Sequence, residues 1–244
     1  MSKLEIKNIS IQTESKNVVN DISMEIESGS IHVVMGPNGS GKSTFVNAIM
    51  GHPKYTITNG EIILDGKNIT DMATEKKAQK GLFLSMQYLP EIPGVTLVSF
   101  LHKSYRSLND PDISVVDFYE LLKKKAEELD IDPDFLNRHV NVGLSGGEKK
   151  LSEVLQLAVL EPKFAFLDEI DSGVDIDSLR KVFKALSILQ KQGTAFLLIT
   201  HYNTILDHIT PDFVHVMKDG VLIRSGGKEL VAEITEHGFG SFVD

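Results

Sequence analysis

The sequence predicts an α/β fold, in which a P-loop core with a mixed β-sheet carries an antiparallel β subdomain and an inserted helical subdomain. Four short apolar runs, each bounded by breaks in the pattern, are typical of buried parallel strands. They occupy residues 31–35, 81–86, 163–167 and 194–200. Asp-Gly dipeptides at 65–66 and 219–220 separate further apolar segments and predict antiparallel hairpins.

Two strands are predicted ahead of this core. Residues Leu4–Ile11 and Ile22–Ile26 alternate apolar and polar side chains, which is typical of half-exposed antiparallel strands. We expect them to form one wall of a site at the end of the strand at 31–35. No aromatic residue stands between Lys7 and Ile31, so the sequence identifies no ring on this wall that could stack on a nucleobase.

The stretch GPNGSGKST directly follows the apolar run at 31–35 and leads into a helical segment. It fits the P-loop pattern G-x-x-x-x-G-K-[S/T], in which backbone N–H groups and a helix N-terminus bind phosphate oxygens. Lys42 adds a charge for the outer phosphates, and Ser43 can offer its hydroxyl to Mg²⁺. A nucleoside triphosphate site is therefore predicted. Its residues are Gly36, Pro37, Asn38, Gly39, Ser40, Gly41, Lys42, Ser43 and Thr44.

The chain changes character after the second apolar run. That run ends at Gln87, whose side chain could reach both a magnesium ion and an attacking water molecule. Helical patterns then occur at residues 97–105, 113–129 and 134–139. We therefore predict one domain, 1–244, with a helical subdomain at 88–160 between two parts of the core, 1–87 and 161–244.

The segment LSGGE at residues 144–148 begins an amphipathic helix and allows two interpretations. Ser145 and Glu148 have the spacing of a capping box, which would make the segment only a stable helix start. Gly146 and Gly147 are costly in that position, and they would let a phosphate approach bare backbone N–H groups. From the residues alone, both interpretations stay open.

Polar residues end the last two apolar runs. Asp168 and Glu169 follow the third run, and ionised groups at the edge of a core need partners such as a magnesium ion. Asp168 suits a ligand of Mg²⁺. Glu169 suits the residue that polarises the attacking water. His201 follows the fourth run and could contact the γ-phosphate, since such strand ends converge on one crevice. The acidic residues that follow Glu169 are predicted mainly to cap a helix or to face solvent: Asp171, Asp175 and Asp177.

The composition excludes several kinds of site and partner. The chain has no cysteine, so it forms no disulfide and supplies no thiolate to zinc or to an iron–sulfur cluster. Its net charge of −9 argues against nucleic acid or an anionic membrane as the main partner. No signal-peptide pattern is seen, and no apolar run approaches the roughly 20 residues that span a bilayer. We therefore expect a cytoplasmic protein that does not insert into membranes.

The order and spacing of these motifs resemble the ATP-binding-cassette (ABC) ATPases over essentially the whole chain. The resemblance implies the ABC-ATPase fold and an ATP hydrolase that uses ATP and Mg²⁺. It implies that Gln87 is the Q-loop residue, that Asp168 is the Walker B carboxylate, and that Glu169 and His201 are the catalytic base and the switch histidine. The implied magnesium-binding residues are Ser43, Gln87 and Asp168.

The same resemblance bears on the LSGGE segment. Ser145, Gly146, Gly147 and Glu148 resemble the family's signature motif, which contacts the ATP held by a second protomer. It implies a transient, ATP-dependent homodimer and favours the phosphate-binding interpretation.

Within the family the chain resembles the SufC branch, the ATPases of the SUF system for iron–sulfur cluster assembly. The matching stretches are residues 35–44, 87–95, 145–150, 167–177 and 200–217. Transporter subunits usually have proline and threonine after the Walker B glutamate and an acidic residue after the switch histidine, where this chain has Ile170, Asp171 and Tyr202. The SufC branch usually has arginine and asparagine where this chain has Leu151 and Ser152.

The resemblance to the SufC branch implies scaffold partners similar to SufB and SufD. Because the chain has no cysteine, it would bind no cluster itself and would instead move its partners. Two alternatives stay open: the ATP-binding subunit of an ABC membrane transporter, and a nucleotide-dependent scaffold that does not hydrolyse ATP. Glu169 argues against the second.

Overall fold

The computed structural model describes residues 1–14, 16–171, 173–200 and 208–237. The strands are β1 (Lys3–Thr13), β2 (Lys16–Glu27), β3 (Ile31–Met35), β4 (Tyr55–Leu64), β5 (Lys67–Asn68), β6 (Leu82–Ser85), β7 (Phe164–Asp168), β8 (Ala195–Ile199), β9 (Phe213–Lys218) and β10 (Val221–Gly226). The α-helices are α1 (Lys42–Met50), α2 (Thr74–Gln79), α3 (Leu97–Leu108), α4 (Val115–Glu128), α5 (Gly146–Leu160), α6 (Ile176–Lys191) and α7 (Glu229–His237). A 3₁₀ helix covers Pro133–Asn137.

The larger sheet has six strands in the order β10-β9-β3-β8-β7-β6. The five strands from β9 to β6 are parallel, and β10 is antiparallel to β9, so the predicted mixed sheet is confirmed. Every residue of β3, β7 and β8 is buried, which explains why these strands are continuous apolar runs. The carboxyl ends of β3, β8, β7 and β6 are neighbours, and the P-loop, Asp168 and Gln87 therefore lie near one edge of the sheet.

The smaller sheet is antiparallel, with the order β2-β1-β4-β5. Asp65 and Gly66 have φ angles of 48° and 76°, as the predicted two-residue turn requires. Strand β1 ends at Thr13, beyond the predicted segment 4–11, and β4 begins at Tyr55, well ahead of the apolar residues that precede Asp65. The sequence pattern misses these extensions because register shifts interrupt the alternation of side chains along both strands.

Each face of the larger sheet contributes to one apolar cluster. One cluster packs the sheet against α1 and the smaller sheet, and the other packs it against α3 to α6. The predicted helix at 134–139 is instead the 3₁₀ helix, which Asp132 caps by accepting a hydrogen bond from the N–H of Asp134 at 2.9 Å. Helix α2 was not predicted, because its six residues are too short to show a period. The division into subdomains at residues 87/88 and 160/161 stays a prediction.

Two buried histidines form a hydrogen-bonded chain between β3, β9 and β10. His32 and His215 are 2% and 6% exposed, and their Nδ1 and Nε2 atoms lie 3.1 Å apart. The outer ring nitrogens contact Ser30 Oγ at 3.1 Å and Ser225 Oγ at 2.8 Å. Burial lowers the pKa of both imidazoles to about 4, from an ordinary value of 6.5. Both rings are therefore neutral in the folded protein at neutral pH.

This pair makes acidification destabilising. As the pH falls from 6.5 towards 4, the unfolded chain binds protons that the folded chain does not, so the free energy of unfolding decreases. Between about pH 7 and about pH 5 we expect His215→Gln to lose roughly 2 kcal/mol less stability than the parent. Urea unfolding at both pH values measures this difference. The exposed His139→Gln serves as the control, and equal losses in the parent and in His215→Gln would contradict the prediction.

Candidate nucleotide-binding site

A cavity of about 950 Å³ opens at the carboxyl edge of the parallel strands. Six of the nine predicted P-loop residues line it: Asn38, Gly39, Gly41, Lys42, Ser43 and Thr44. Gln87 and Glu169 also line it, as does Asp171. The structure therefore brings the P-loop, the Q-loop residue and the expected catalytic base into one space.

The P-loop lies directly on strand β9. A Cβ atom at Gly36 would come 2.0 Å from the backbone oxygen of Met217, so only glycine fits there. Lys42 is 5% exposed, and its Nζ donates hydrogen bonds to the carbonyls of Gly36 and Pro37 at 2.9 and 3.0 Å. Burial lowers the pKa of this ammonium. Its two hydrogen-bond partners are neutral carbonyls, and the carboxylates of Asp168 and Glu169 act on its charge only through space, so the ammonium is placed to meet an anion such as phosphate.

Asp168 and Ser43 fit a magnesium ion. Asp168 is 1% exposed at the end of β7, and its Oδ1 has no hydrogen-bond partner in the described part of the chain. Burial raises the pKa of this carboxyl, while a hydrogen bond with the Ser43 side chain opposes the rise. A buried carboxylate oxygen without a partner beside a hydroxyl is a suitable oxygen donor set for Mg²⁺.

Glu169 is held in an unusual backbone conformation. Its φ is 53°, in the left-handed region that costs a non-glycine residue about 1 kcal/mol or more, and its N–H donates to the carbonyl of Ile199 at 3.0 Å. Gln87 Nε2 donates to Glu169 Oε2 at 2.8 Å. The two side chains expected to act on the attacking water are therefore in direct contact. Whether Gln87 also binds the metal stays a prediction.

Asp171 corrects one interpretation of the sequence. It was predicted with the surface and capping residues, but it is 9% exposed, lines the cavity and accepts a hydrogen bond from Thr200 Oγ1 at 2.6 Å. This bond joins the loop after β7 to the end of β8. Asp175 does cap α6, accepting from the N–H groups of residues 177 and 178 at 3.1 and 2.9 Å. His201 lies outside the described residues.

The LSGGE segment is a real capping box. Ser145 Oγ accepts from the N–H of Glu148 at 3.3 Å, and Glu148 Oε2 accepts from the N–H of Ser145 at 2.7 Å. Arg138 forms an ion pair with the other oxygen of Glu148. None of the four signature residues is among the residues that line the cavity in the described part of the chain. A phosphate bound by this segment would therefore not be one held in this chain's own cavity.

The two signature glycines have a steric function that sequence reasoning missed. A Cβ atom at Gly146 would come 2.3 Å from the carbonyl oxygen of Gly173. At Gly147 it would come 2.5 Å from Ser178 Oγ. The start of α5 thus packs directly against the loop after β7 and the first turn of α6.

A buried polar cluster joins α5 to the strand that leads to Gln87. Ser85, at the end of β6, donates to Glu153 Oε1 at 2.5 Å, and Lys150 Nζ donates to Glu153 Oε2 at 2.9 Å. All three residues are at most 6% exposed, and burial raises the pKa of Glu153. Leu151 packs on the apolar core beside this cluster, and Ser152 is buried with its hydroxyl unpartnered among the described residues. These two positions therefore make no polar side-chain contact here.

The model of the ABC transporter family matches residues 19–172, well over half of the chain. This chain belongs to the ABC ATPase family. Relatives cover nearly its whole length: Vegetative protein 296 of Bacillus subtilis is 46% identical over 98% of the chain and 92% of the relative. A probable ATP-dependent transporter of Synechocystis is 44% identical over 99% and 95%.

Solved ABC structures share the fold. A nucleotide-free ATP-binding cassette from an ABC transporter has a TM-score of 0.79 at 25% identity, covering 97% of this chain and 96% of the other. A second ATP-binding cassette has a TM-score of 0.81 at 24% identity over the full length of both chains. The predicted ABC-ATPase fold is confirmed, and membership of the family makes this protein an ATP hydrolase that uses ATP and Mg²⁺. In the described residues, no helix has both the length and the apolar character needed to cross a membrane.

Proposed function

We propose that this ABC ATPase couples ATP binding, dimerisation and hydrolysis to conformational change in a SufB- and SufD-type scaffold during iron–sulfur cluster assembly. The observation that carries this proposal is Asp171. Transporter cassettes usually have threonine at this position, whereas here a buried carboxylate lines the cavity and bonds to Thr200. A chain without cysteine would serve assembly by moving its partners and not by holding the cluster.

In the proposed reaction the P-loop holds the nucleotide by its phosphates. Lys42 exchanges its two carbonyl contacts for phosphate oxygens, and the N–H groups of residues 39–44 surround the anion. Ser43 and Asp168 would hold the magnesium ion, which supplies positive charge to the phosphoryl group being transferred.

Glu169 accepts a proton from the attacking water, and Gln87 keeps the carboxylate oriented through its 2.8 Å hydrogen bond. His201 is proposed as a γ-phosphate contact. No covalent intermediate on the protein is required.

We further propose that the active form is a homodimer in which each LSGGE segment meets the phosphates in the partner's cavity. The segment's position outside its own cavity supports this arrangement. A cassette with the same fold, 19% identical with a TM-score of 0.80, is described as dimeric in a post-hydrolysis state with ADP and phosphate. The signature residues would then complete a site that one chain leaves open.

We expect the isolated chain to hydrolyse ATP slowly and a SufB–SufD-type complex to stimulate it by on the order of tenfold or more, because the scaffold holds two copies close together. Phosphate release with and without the purified complex measures the effect. Cells depleted of the chain should lose iron–sulfur enzyme activity, and a Lys42→Ala copy should not restore it.

The names of several relatives support a second candidate, the ATP-binding subunit of a membrane transporter. In that case the native protein would co-purify with an integral membrane partner, and its depletion would impair transport of a solute. If iron–sulfur enzymes stay active in depleted cells, the assembly role is wrong.

A further inference from the structure

The part of the cavity lined by the smaller sheet has no assigned function. It is lined by Thr13 at the end of β1, by Lys16 and Val18 on β2, and by Lys54 and Tyr55 at the start of β4. A nucleotide held by its phosphates at the P-loop must extend its ribose and base into the remaining space. This wall is therefore where recognition of the base should occur.

Three side chains form a row across the smaller sheet. Thr13 pairs directly with Tyr55 on β4 and with Lys16 on β2, and the three strands are neighbours in the order β2-β1-β4. Residues that pair directly in antiparallel strands carry their side chains on the same face. A phenol ring, a hydroxyl and an ammonium group thus stand side by side on the cavity wall.

The backbone and ring of Tyr55 are anchored. The tight turn after α1 begins at Gly51, whose N–H donates to the carbonyl of Ala48 at 2.9 Å, and the N–H of Tyr55 donates to the carbonyl of His52 at 3.0 Å. The His52 ring lies 5.4 Å from the Tyr55 ring, and Lys54 Nζ lies 5.9 Å from its centroid. Helix α1 therefore carries the phosphate-binding loop at one end and a positioned aromatic ring at the other.

We propose that Tyr55 is the aromatic platform on which the base of bound ATP stacks, with Thr13 and Lys16 at the edge of the base. The proposal rests on the proposed nucleotide site at the P-loop. It accounts for base binding in a chain that has no aromatic residue between Lys7 and Ile31. Tyr55, at the start of β4, would supply the aromatic ring that this segment of β1 and β2 lacks.

The chemistry of this wall predicts weak selectivity among bases. Stacking on an aromatic ring tolerates every base, because every base has a π-face. Lys16 is the only side chain of the row that carries a formal charge, and as a flexible donor it can meet acceptors on the edge of adenine or guanine. ATP and GTP should therefore bind within about tenfold of each other.

The absence of tryptophan from the chain allows a direct test. Tyr55→Trp introduces a single indole at the proposed platform. We expect its fluorescence to be quenched by MgATP and MgGTP and to be unaffected by magnesium tripolyphosphate, which has the phosphates but no base. Tyr119→Trp on α4, outside the cavity lining, is the matched control and should respond to none of them.

Binding measurements on Tyr55→Ala and Tyr55→Phe complete the test. Equilibrium dialysis should show ATP affinity about five- to a hundredfold weaker for Tyr55→Ala, near the parent's for Tyr55→Phe, and unchanged tripolyphosphate affinity for both. Parental ATP affinity in Tyr55→Ala, together with lost affinity in Lys42→Ala, would overturn the stacking proposal and leave the P-loop site intact. Parental ATP affinity in both variants would overturn the two proposals together.

Discussion

Glutamine in place of Glu169 should lower the rate of ATP hydrolysis by about two to four orders of magnitude and leave ATP binding close to the parent's. The variant removes the carboxylate that we propose accepts a proton from the attacking water. It keeps the size of the side chain, and its amide oxygen can still accept the 2.8 Å hydrogen bond that Gln87 donates. The loss should therefore appear in kcat and not in nucleotide affinity.

Phosphate release and equilibrium binding of ATP, measured with magnesium on the same preparations, separate these two quantities. Lys42→Ala should show the opposite pattern, because it removes the ammonium group that we propose meets the phosphates. The exposed Glu120→Gln on α4 controls for loss of a carboxylate and should behave as the parent. If Glu169→Gln hydrolyses ATP at the parental rate, Glu169 is not the catalytic base.

Aspartate in place of Ser145 should abolish ATP-driven dimerisation without unfolding α5. Asp is as good a helix N-cap as Ser, so it can accept the hydrogen bond from the N–H of Glu148 that Ser145 now accepts at 3.3 Å. In the proposed dimer, however, the new carboxylate would face the partner's triphosphate. Such like-charge contact costs several kcal/mol, so dimerisation should weaken by about a hundredfold or more.

Sedimentation in the slowly hydrolysing Glu169→Gln background measures this effect with ATP and with ADP. Ser145→Asn keeps a neutral cap and is the matched control, which should still dimerise with ATP. A bulky residue at Gly147 would be a poor test, because it would collide with Ser178 inside the same chain. If Ser145→Asp dimerises as well as Ser145→Asn, the segment is only a helix start.

The sequence predicted those features whose causes are local. The strand at 31–35 has the bounds of β3, because a short run that is apolar except at His32 and is followed by a glycine loop has few other structures available. The P-loop residues and the pair Asp168 and Glu169 were also found near one edge of the sheet, since parallel strands align their carboxyl ends there.

The features it missed depend on contacts between distant segments. Tyr55 faces the cavity only because β4 pairs with β1 in a register that bulges have shifted, and a slip of one residue would reverse its face. Asp171 belongs to the site because Thr200, directly after β8, comes within 2.6 Å. Gly146 was interpreted through its possible ligand, whereas its nearest constraint is the backbone of Gly173. The spacing of residues along the sequence does not reveal these contacts.

The tight packing of Gly146 on Gly173 has a mechanical consequence for the proposed homodimer, which would hold two ATP molecules. With no space between them, the signature segment cannot move towards the loop after Glu169 without displacing that loop as well. In a symmetric pair each chain would present its signature segment to one nucleotide and its carboxylate to the other. Closure around the first ATP would then preset the geometry around the second, so the two sites would act cooperatively and not as independent catalysts.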